Sequence, residues 1–272
     1  MTPKFIFSVV FICIAQFLLA QSNDALKFFN SGIEKSKRQD YYGAIQDYTK
    51  AIEINPKYNE AYKNRGNAKS DLRDYYGAIS DYTKAIEIYP EYSVAFYNRG
   101  NSKSNLKEYS GAIEDFTKAI EINPGFSAAY SNRGMVKSDL KDYYGAISDY
   151  TKAIEINPNV SESYNNRGND KSNLKNHYGA IEDFTKAIEI NPKNSSAFSN
   201  RGNAKTEIKN YSGAISDFTK AIELKPNYAN AYYNRGLAKY KLGDKDGLCV
   251  DFKKACELGL SVACDYSKNA CN

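Results

Sequence analysis

Six of the chain's seven prolines, Pro56, Pro90, Pro124, Pro158, Pro192 and Pro226, stand thirty-four residues apart. Glycine keeps the same interval on two tracks, Gly32 to Gly236 and Gly43 to Gly247. These residue types bend or end a backbone, and a single globular core has no reason to space them evenly. A fixed period of this length marks one supersecondary unit copied end to end. Length alone would suit one or two globular domains. The period overrides that prior, and function has to be sought on the surface that the copies align.

One unit, Asn59–Tyr92, shows what is repeated. Ala61, Tyr62, Arg65, Gly66 and Lys69 recur at helical spacings of three and four, and Leu72 closes this first helix. Asp74 stands where a helix N-cap belongs; the matching residues are Asp40, Glu108, Asp142, Asn176, Asn210 and Asp244, all but the glutamate good capping types. The second helix carries the apolar stripe Ala78, Ile79, Tyr82, Ala85, Ile86 and Ile88, and Pro90 cannot prolong it. The unit is a helix–turn–helix hairpin.

Numbered from the first residue of each unit, position 4 is aromatic from Phe28 to Tyr232, position 8 is glycine, and position 24 is aromatic from Tyr48 to Phe252. Position 27 is alanine from Ala51 to Ala255, and proline stands at position 32. In these residues the chain resembles the tetratricopeptide repeat family. The resemblance implies an all-α fold, a right-handed superhelical αα-hairpin solenoid of seven units plus a C-terminal capping helix. The expected organisation is a leader over 1–20, a short segment over 21–24, repeats over 25–58, 59–92, 93–126, 127–160, 161–194, 195–228 and 229–262, and a cysteine-bearing cap over 263–272.

The leader is read from its own residues. Met1–Lys4 holds one positive side chain, Phe5–Ala15 is apolar apart from Ser8, and Gln16–Ala20 ends in a small residue, the layout of a secretory signal peptide. It is shorter than the roughly 20 apolar residues a spanning helix needs. The expectation is an exported protein beginning near Gln21 and working in a periplasm, on an envelope or outside the cell.

The chain departs from the family at positions 7 and 11. Leucine is usual at 7, but Arg65, Arg99, Arg133, Arg167, Arg201 and Arg235 stand there, with lysine at 11 from Lys35 to Lys239. Position 23 is aspartate in every unit, Asp47 to Asp251. The expectation is an Arg–Asp bridge in each hairpin, with lysine reaching solvent on its apolar stem. A basic stripe for an acidic ligand is the competing reading.

The family likeness implies that positions 2, 5, 6, 9, 12 and 13 face a concave groove. Position 6 is Asn30, Asn64, Asn98, Asn132, Asn166, Asn200 and Asn234, and position 9 adds Asn67, Asn101, Asn169 and Asn203. A carboxamide offers a donor and an acceptor, which matches one peptide unit of an extended chain. The other reading of the same asparagines is support for helix packing. Successive units lack the alternating Lys and Arg expected of a clamp for a terminal carboxylate.

Cys249, Cys256, Cys264 and Cys271 all lie near the C-terminus, each pair seven residues apart and so on one helical face. If Ser261–Ala270 folds back as an antiparallel helix, pairing is nested, Cys256–Cys264 inside Cys249–Cys271. The stretch from Lys254 to Cys264 is similar to cysteine-rich suppressor-of-lin-type repeats, which bridge paired helices. A metal site would need four converging thiolates, and the spacing is not that of a zinc knuckle.

Lys+Arg number 37 against Asp+Glu 32, with signs closely interleaved along helix faces, which does not mark a nucleic-acid footprint. The one histidine, His177, stands where five other units have tyrosine, and no phosphate loop or nucleophile–base pair is visible. The sequence therefore reads as a non-enzymatic scaffold without cofactor, metal, nucleic acid or small-molecule substrate. Its expected partner is an extended protein segment in the asparagine-lined groove. The alternative is an assembly module that self-associates with the groove unoccupied.

Overall fold

The computed structural model describes residues 23–271. The expected leader and residues 21 and 22 lie outside the described residues. Helix α1 covers 23–37, so that Asn23 and Asp24 are helical. Then follow α2 (Tyr41–Ile54), α3 (Asn59–Asp71), α4 (Tyr75–Ile88), α5 (Ser93–Asn105), α6 (Tyr109–Ile122) and α7 (Ser127–Asp139). The second half holds α8 (Tyr143–Ile156), α9 (Ser161–Asn173), α10 (His177–Ile190), α11 (Ser195–Glu207), α12 (Tyr211–Leu224), α13 (Ala229–Lys241), α14 (Lys245–Glu257) and α15 (Ser261–Ala270). No strand occurs among the described residues. The chain forms two compact units that divide at Val136/Lys137, within α7. In each, consecutive helices pack in chain order as αα-hairpins of a solenoid.

The hairpin turn is built from its caps. Asp40, Asp74, Asp142, Asn176, Asn210 and Asp244 each accept the backbone N–H of the glycine three residues on, while Glu108 does not. Glycine inside a helix costs about 1 kcal/mol against alanine, yet a Cβ on Gly43, Gly77 or Gly145 would overlap the capping carboxylate. The glycine makes room for its cap. The preceding helix ends on a left-handed residue: Gln39, Arg73, Lys107, Lys141, Lys175 and Lys209 have φ between 61° and 64°, and only the seventh unit uses glycine, Gly243. The conformation lets Lys107 N–H reach the Ser104 carbonyl and Glu108 N–H the Lys103 carbonyl, both at 2.9 Å.

Within a hairpin the position-8 glycine meets the position-24 aromatic ring. A Cβ at Gly66 would lie 2.7 Å from Tyr82 Cε1, and one at Gly202 2.8 Å from Phe218 Cε1. These rings are almost wholly buried, together with the alanines at positions 20 and 27. Each buried ring contributes about 1.5–3 kcal/mol.

The charged residues at positions 7, 11 and 23 form one network in five of the hairpins. Arg99 Nε and Nη2 donate to Asp115 Oδ2 and Oδ1 at 2.9 and 2.7 Å, and Nη1 donates to Thr83 Oγ1 of the preceding repeat at 3.0 Å. The same fork joins Arg65 to Asp81, Arg167 to Asp183, Arg201 to Asp217 and Arg235 to Asp251. The lysine does not reach out to solvent as expected. Lys103 Nζ lies 2.8 Å from Asp115 Oδ2, and Lys69, Lys171, Lys205 and Lys239 do the same in their hairpins. The reason is electrostatic: a carboxylate with a side chain only 2% exposed gains more from two cations than from one. Each arginine also lies under the position-4 ring, 5.3 Å from the Phe96 centroid for Arg99. In the first repeat Ser31 and Lys35 hold Asp47 instead.

The C-terminal hairpin is closed by sulfur. Cys249 pairs with Cys271 and Cys256 with Cys264, at Cα separations of 5.5 and 4.8 Å, joining α14 to α15. Phe252 meets the edge of Tyr266 at 5.7 Å, and Ala263 is fully buried.

Asp170 breaks the pattern at position 10, where its neighbours are Val136 and Ala204. It is 1% exposed, accepts a bond from Ser138 Oγ at 2.7 Å, and leaves Oδ2 buried without a hydrogen-bond partner. Burial pushes its carboxyl pKa up and Asp139 adds to the rise, against hydrogen bonds from Ser138 and Asn173.

Two outcomes follow for stability. In a double-mutant cycle, Arg99→Ala and Asp115→Ala each cost about 3–5 kcal/mol, and the double variant costs clearly less than their sum; additive losses in urea denaturation would mean the two are not coupled. For Asp170 the folded state holds its proton more tightly than the unfolded chain. The penalty therefore grows as pH rises from about 4 through the raised folded value. Asp170→Asn is expected to be the more stable protein at pH 7 by about 1–3 kcal/mol, and the two proteins' melting curves converge below about pH 4. A gap that is unchanged by acid would refute this.

Candidate functional site: an asparagine ladder

The odd-numbered helices carry every asparagine singled out by its position. Asn30 is exposed on α1, and Asn64 and Asn67 are half-buried on α3. Asn98 and Asn101 lie on α5, Asn132 on α7, Asn166 and Asn169 on α9, Asn200 and Asn203 on α11, and Asn234 on α13. Positions 6 and 9 are three residues apart and share a helix face.

Neighbouring helices bond these amides to one another. In the first unit Asn98 Nδ2 donates to Asn67 Oδ1 at 2.9 Å, and Asn132 Nδ2 to Asn101 Oδ1 at 2.7 Å. Tyr82 OH gives Asn67 Oδ1 a second donor at 2.8 Å, and Asn132 Nδ2 also reaches Tyr97 OH at 3.0 Å. In the second unit Asn234 Nδ2 donates to Asn203 Oδ1 at 2.9 Å, whereas Asn200 Nδ2 turns to Asn165 Oδ1 at 3.1 Å. Asn64, Asn166 and Asn169 take no part in such a bond among the described residues.

The ladder is thus partly consumed, and what remains is directional. In the three rungs that close, the position-6 asparagine (Asn98, Asn132, Asn234) donates from Nδ2 to the preceding helix and keeps its carbonyl oxygen, while the position-9 asparagine (Asn67, Asn101, Asn203) accepts at Oδ1 and keeps its N–H groups. Asn67 is saturated at oxygen, so its Nδ2 is what it offers a ligand; Asn98 offers Oδ1. Acceptor and donor alternate along the face, which is the pattern an extended backbone presents.

Two adjoining clefts open on the ladder in the first unit. One, of about 290 Å³, is lined by Asn67, Ser70, Asp71, Tyr82, Asn98 and Asn101. The other, of about 390 Å³, shares Asn67 and Asp71 and adds Asn64 and the walls Ile33, Tyr41 and Tyr48. Burial raises the Asp71 carboxyl above its ordinary value, and burial, then Asp71 and Asp81, pushes the Tyr82 phenol far up. Lys63, at position 5 of the same helix, is half-buried, and desolvation lowers its ammonium pKa against the pull of Glu60.

Sequence reasoning missed Asp71's place in both clefts and the direction of each amide. Position 13 was expected to face the groove, but nothing local tells which oxygen a neighbouring repeat will occupy. Among the described residues no group of His, Cys, Asp and Glu is arranged to hold a metal ion, and no helix is long and apolar enough to cross a membrane.

Comparison with known proteins agrees with this architecture. Sequence models described as tetratricopeptide repeat match residues 60–92, 93–126, 127–160 and 161–194, and 28–58 and 229–258; one described as TPR repeat matches 202–243. Among solved structures the chain is similar to YrrB, described as a TPR protein with an unusual peptide-binding site: 27% identity, 68% of this chain and 95% of that one, TM-score 0.59. A tetratricopeptide repeat protein from Parabacteroides merdae covers 92% of this chain over its own full length, at 20% identity and TM-score 0.66. MamA aligns over 61% of this chain and 91% of its own, at 24% identity and TM-score 0.58. Identities this low, for the last two, speak to fold alone. A search of curated proteins found no match. The chain belongs to the tetratricopeptide repeat family.

Proposed function

We propose that this protein is a non-catalytic, exported interaction scaffold that holds an extended segment of a partner protein against the asparagine faces of its odd-numbered helices. The observation that carries the reading is the polarised ladder: Asn98 keeps an acceptor and Asn67 a donor because each has given its other half to the neighbour. Groups so fixed lose little freedom on binding, and they address backbone amides rather than any one side chain. Membership of a repeat family of interaction modules supports the reading, and so does the likeness to a peptide-binding relative, YrrB. Export is supported by the leader's composition and by two disulfides, which persist in oxidising compartments.

A second reading, self-association as an assembly module, has its own observation. Tyr42, Tyr76, Tyr144 and Tyr178, all at position 18, are 70–77% exposed on even-numbered helices. Exposed tyrosines recurring at one position are suited to protein contact.

The two separate in one experiment. Short random peptides are selected by display on the wild-type protein, and their affinity is measured for an Asn98, Asn132, Asn166→Ala variant whose fold is verified by circular dichroism. Peptide binding falls at least about tenfold if the ladder carries it, since each lost bond costs about 1 kcal/mol. Unchanged affinity contradicts the ladder reading. Sedimentation that shifts with protein concentration in the absence of peptide would favour self-association.

A further inference from the structure

The charges that border the two clefts of the first unit are not balanced. Lys37, on the rim of the second cleft, is held by Glu34 at 2.8 Å. Lys69 is held by Asp81 at 2.8 Å. Asp71, common to both clefts, makes no ion pair among the described residues. Lys63 lies two helical turns away along α3, about 12 Å by helix rise.

Acceptors converge on the same place. Asp71 contributes a carboxylate, Ser70 a hydroxyl oxygen, and Asn98 the Oδ1 left over from its bond to Asn67. Three acceptors suit the three N–H bonds of a primary ammonium or the edge of a guanidinium. The adjoining cleft supplies Ile33, Tyr41 and Tyr48, an apolar and aromatic wall along which an alkyl stem can lie while its charged end reaches Asp71. An anion finds none of this, because the N–H groups that remain on Asn67 and Asn101 stand beside an uncompensated carboxylate.

We propose that the Asp71 cleft is a specificity pocket for a lysine or arginine side chain of the peptide that the ladder holds. The proposal rests on the peptide-binding reading and adds the partner's chemistry to it. The partner segment is basic, with a cationic residue seated between α3 and α5. The sequence repeats the acid at position 13 in alternate units, Asp139 and Glu207, with Asn105 and Asn173 between them. A segment carrying spaced basic residues fits that alternation better than one with a single charge.

The test uses peptides selected from a random display library on the full-length protein, in parallel with Asp71→Asn, an exposed and nearly isosteric change that leaves the fold intact. Peptides from the wild type are expected to align on one lysine or arginine, and those from Asp71→Asn to lose that preference. Replacing the aligned residue by norleucine, which keeps a stem and removes the charge, weakens binding to the wild type about tenfold, as loss of a charge-assisted hydrogen bond does. The same replacement changes binding to Asp71→Asn less than about twofold. Peptides that bind but show no aligned basic residue, or a norleucine effect equal on both proteins, overturn the cationic pocket and leave the ladder reading standing. Failure of the wild type to select any peptide overturns both.

Discussion

A carboxylate buried between two helices has to be answered by cations, and that requirement sets the register of the five hairpins in which an arginine fork meets the aspartate. The side chains of Asp81, Asp115, Asp183, Asp217 and Asp251 are only 1–4% exposed. Each is met by a bidentate guanidinium and by a lysine from the facing helix. Removal of either partner leaves a charge without compensation, so neighbouring helices cannot slide by a turn. The third guanidinium nitrogen reaches a threonine of the preceding repeat, as Arg65 does to Thr49 at 3.0 Å. That threonine gives its own proton to Ile45 O at 2.7 Å. One side chain thereby ties its hairpin together and ties that hairpin to the one before. Family relatives usually place leucine at this position; here specificity of pairing replaces apolar packing, a substitution whose benefit lies in register more than in net stability.

A second set of polar contacts builds the functional face by the same logic on the other side of the odd helices. Asparagines bond across to the next helix, and in doing so they lose their ambiguity. The competing readings of the sequence, packing support or ligand binding, are therefore not exclusive: the packing bond is what fixes the direction of the group that remains. Where position 9 is not an amide, as at Ile33, the following asparagine has no ladder partner at that rung. Asn64 follows Ile33 and lines the second cleft with its amide unspent.

Much of the fold was legible because it is encoded locally. Helix periodicity, the Asp or Asn cap sixteen residues into the unit, the terminating proline and the seven-residue cysteine spacing each depend on neighbours in sequence. The expected Arg–Asp pairing was legible too, since a hairpin of known length brings position 23 opposite position 7. What the sequence did not disclose depends on where a flexible side chain ends. Lysine at position 11 was expected in solvent, but its stem is long enough to bring the ammonium back to the aspartate. The reason for the glycine at position 19 is hidden too, since it lies in the capping carboxylate that fills the space of a side chain at Gly43, Gly77 and Gly145. The left-handed residue before each cap is hidden because lysine and arginine, not glycine, occupy it in most units. Asp170 and Asp71 stand out only once burial and empty neighbourhoods are known.

The guanidinium forks are the most direct point at which to test this account. Nitrogen-15 NMR of the arginine Nε–H groups measures their exchange with water one residue at a time. Arg65, Arg99, Arg167, Arg201 and Arg235, whose Nε–H groups donate to aspartate at 2.9–3.0 Å, should exchange slowly at neutral pH. Arg38 and Arg73 are exposed and serve as the internal reference for fast exchange. Protection of the five with rapid exchange of the two is the predicted result. Equal exchange across all seven would contradict the claim that buried carboxylates hold this repeat in register.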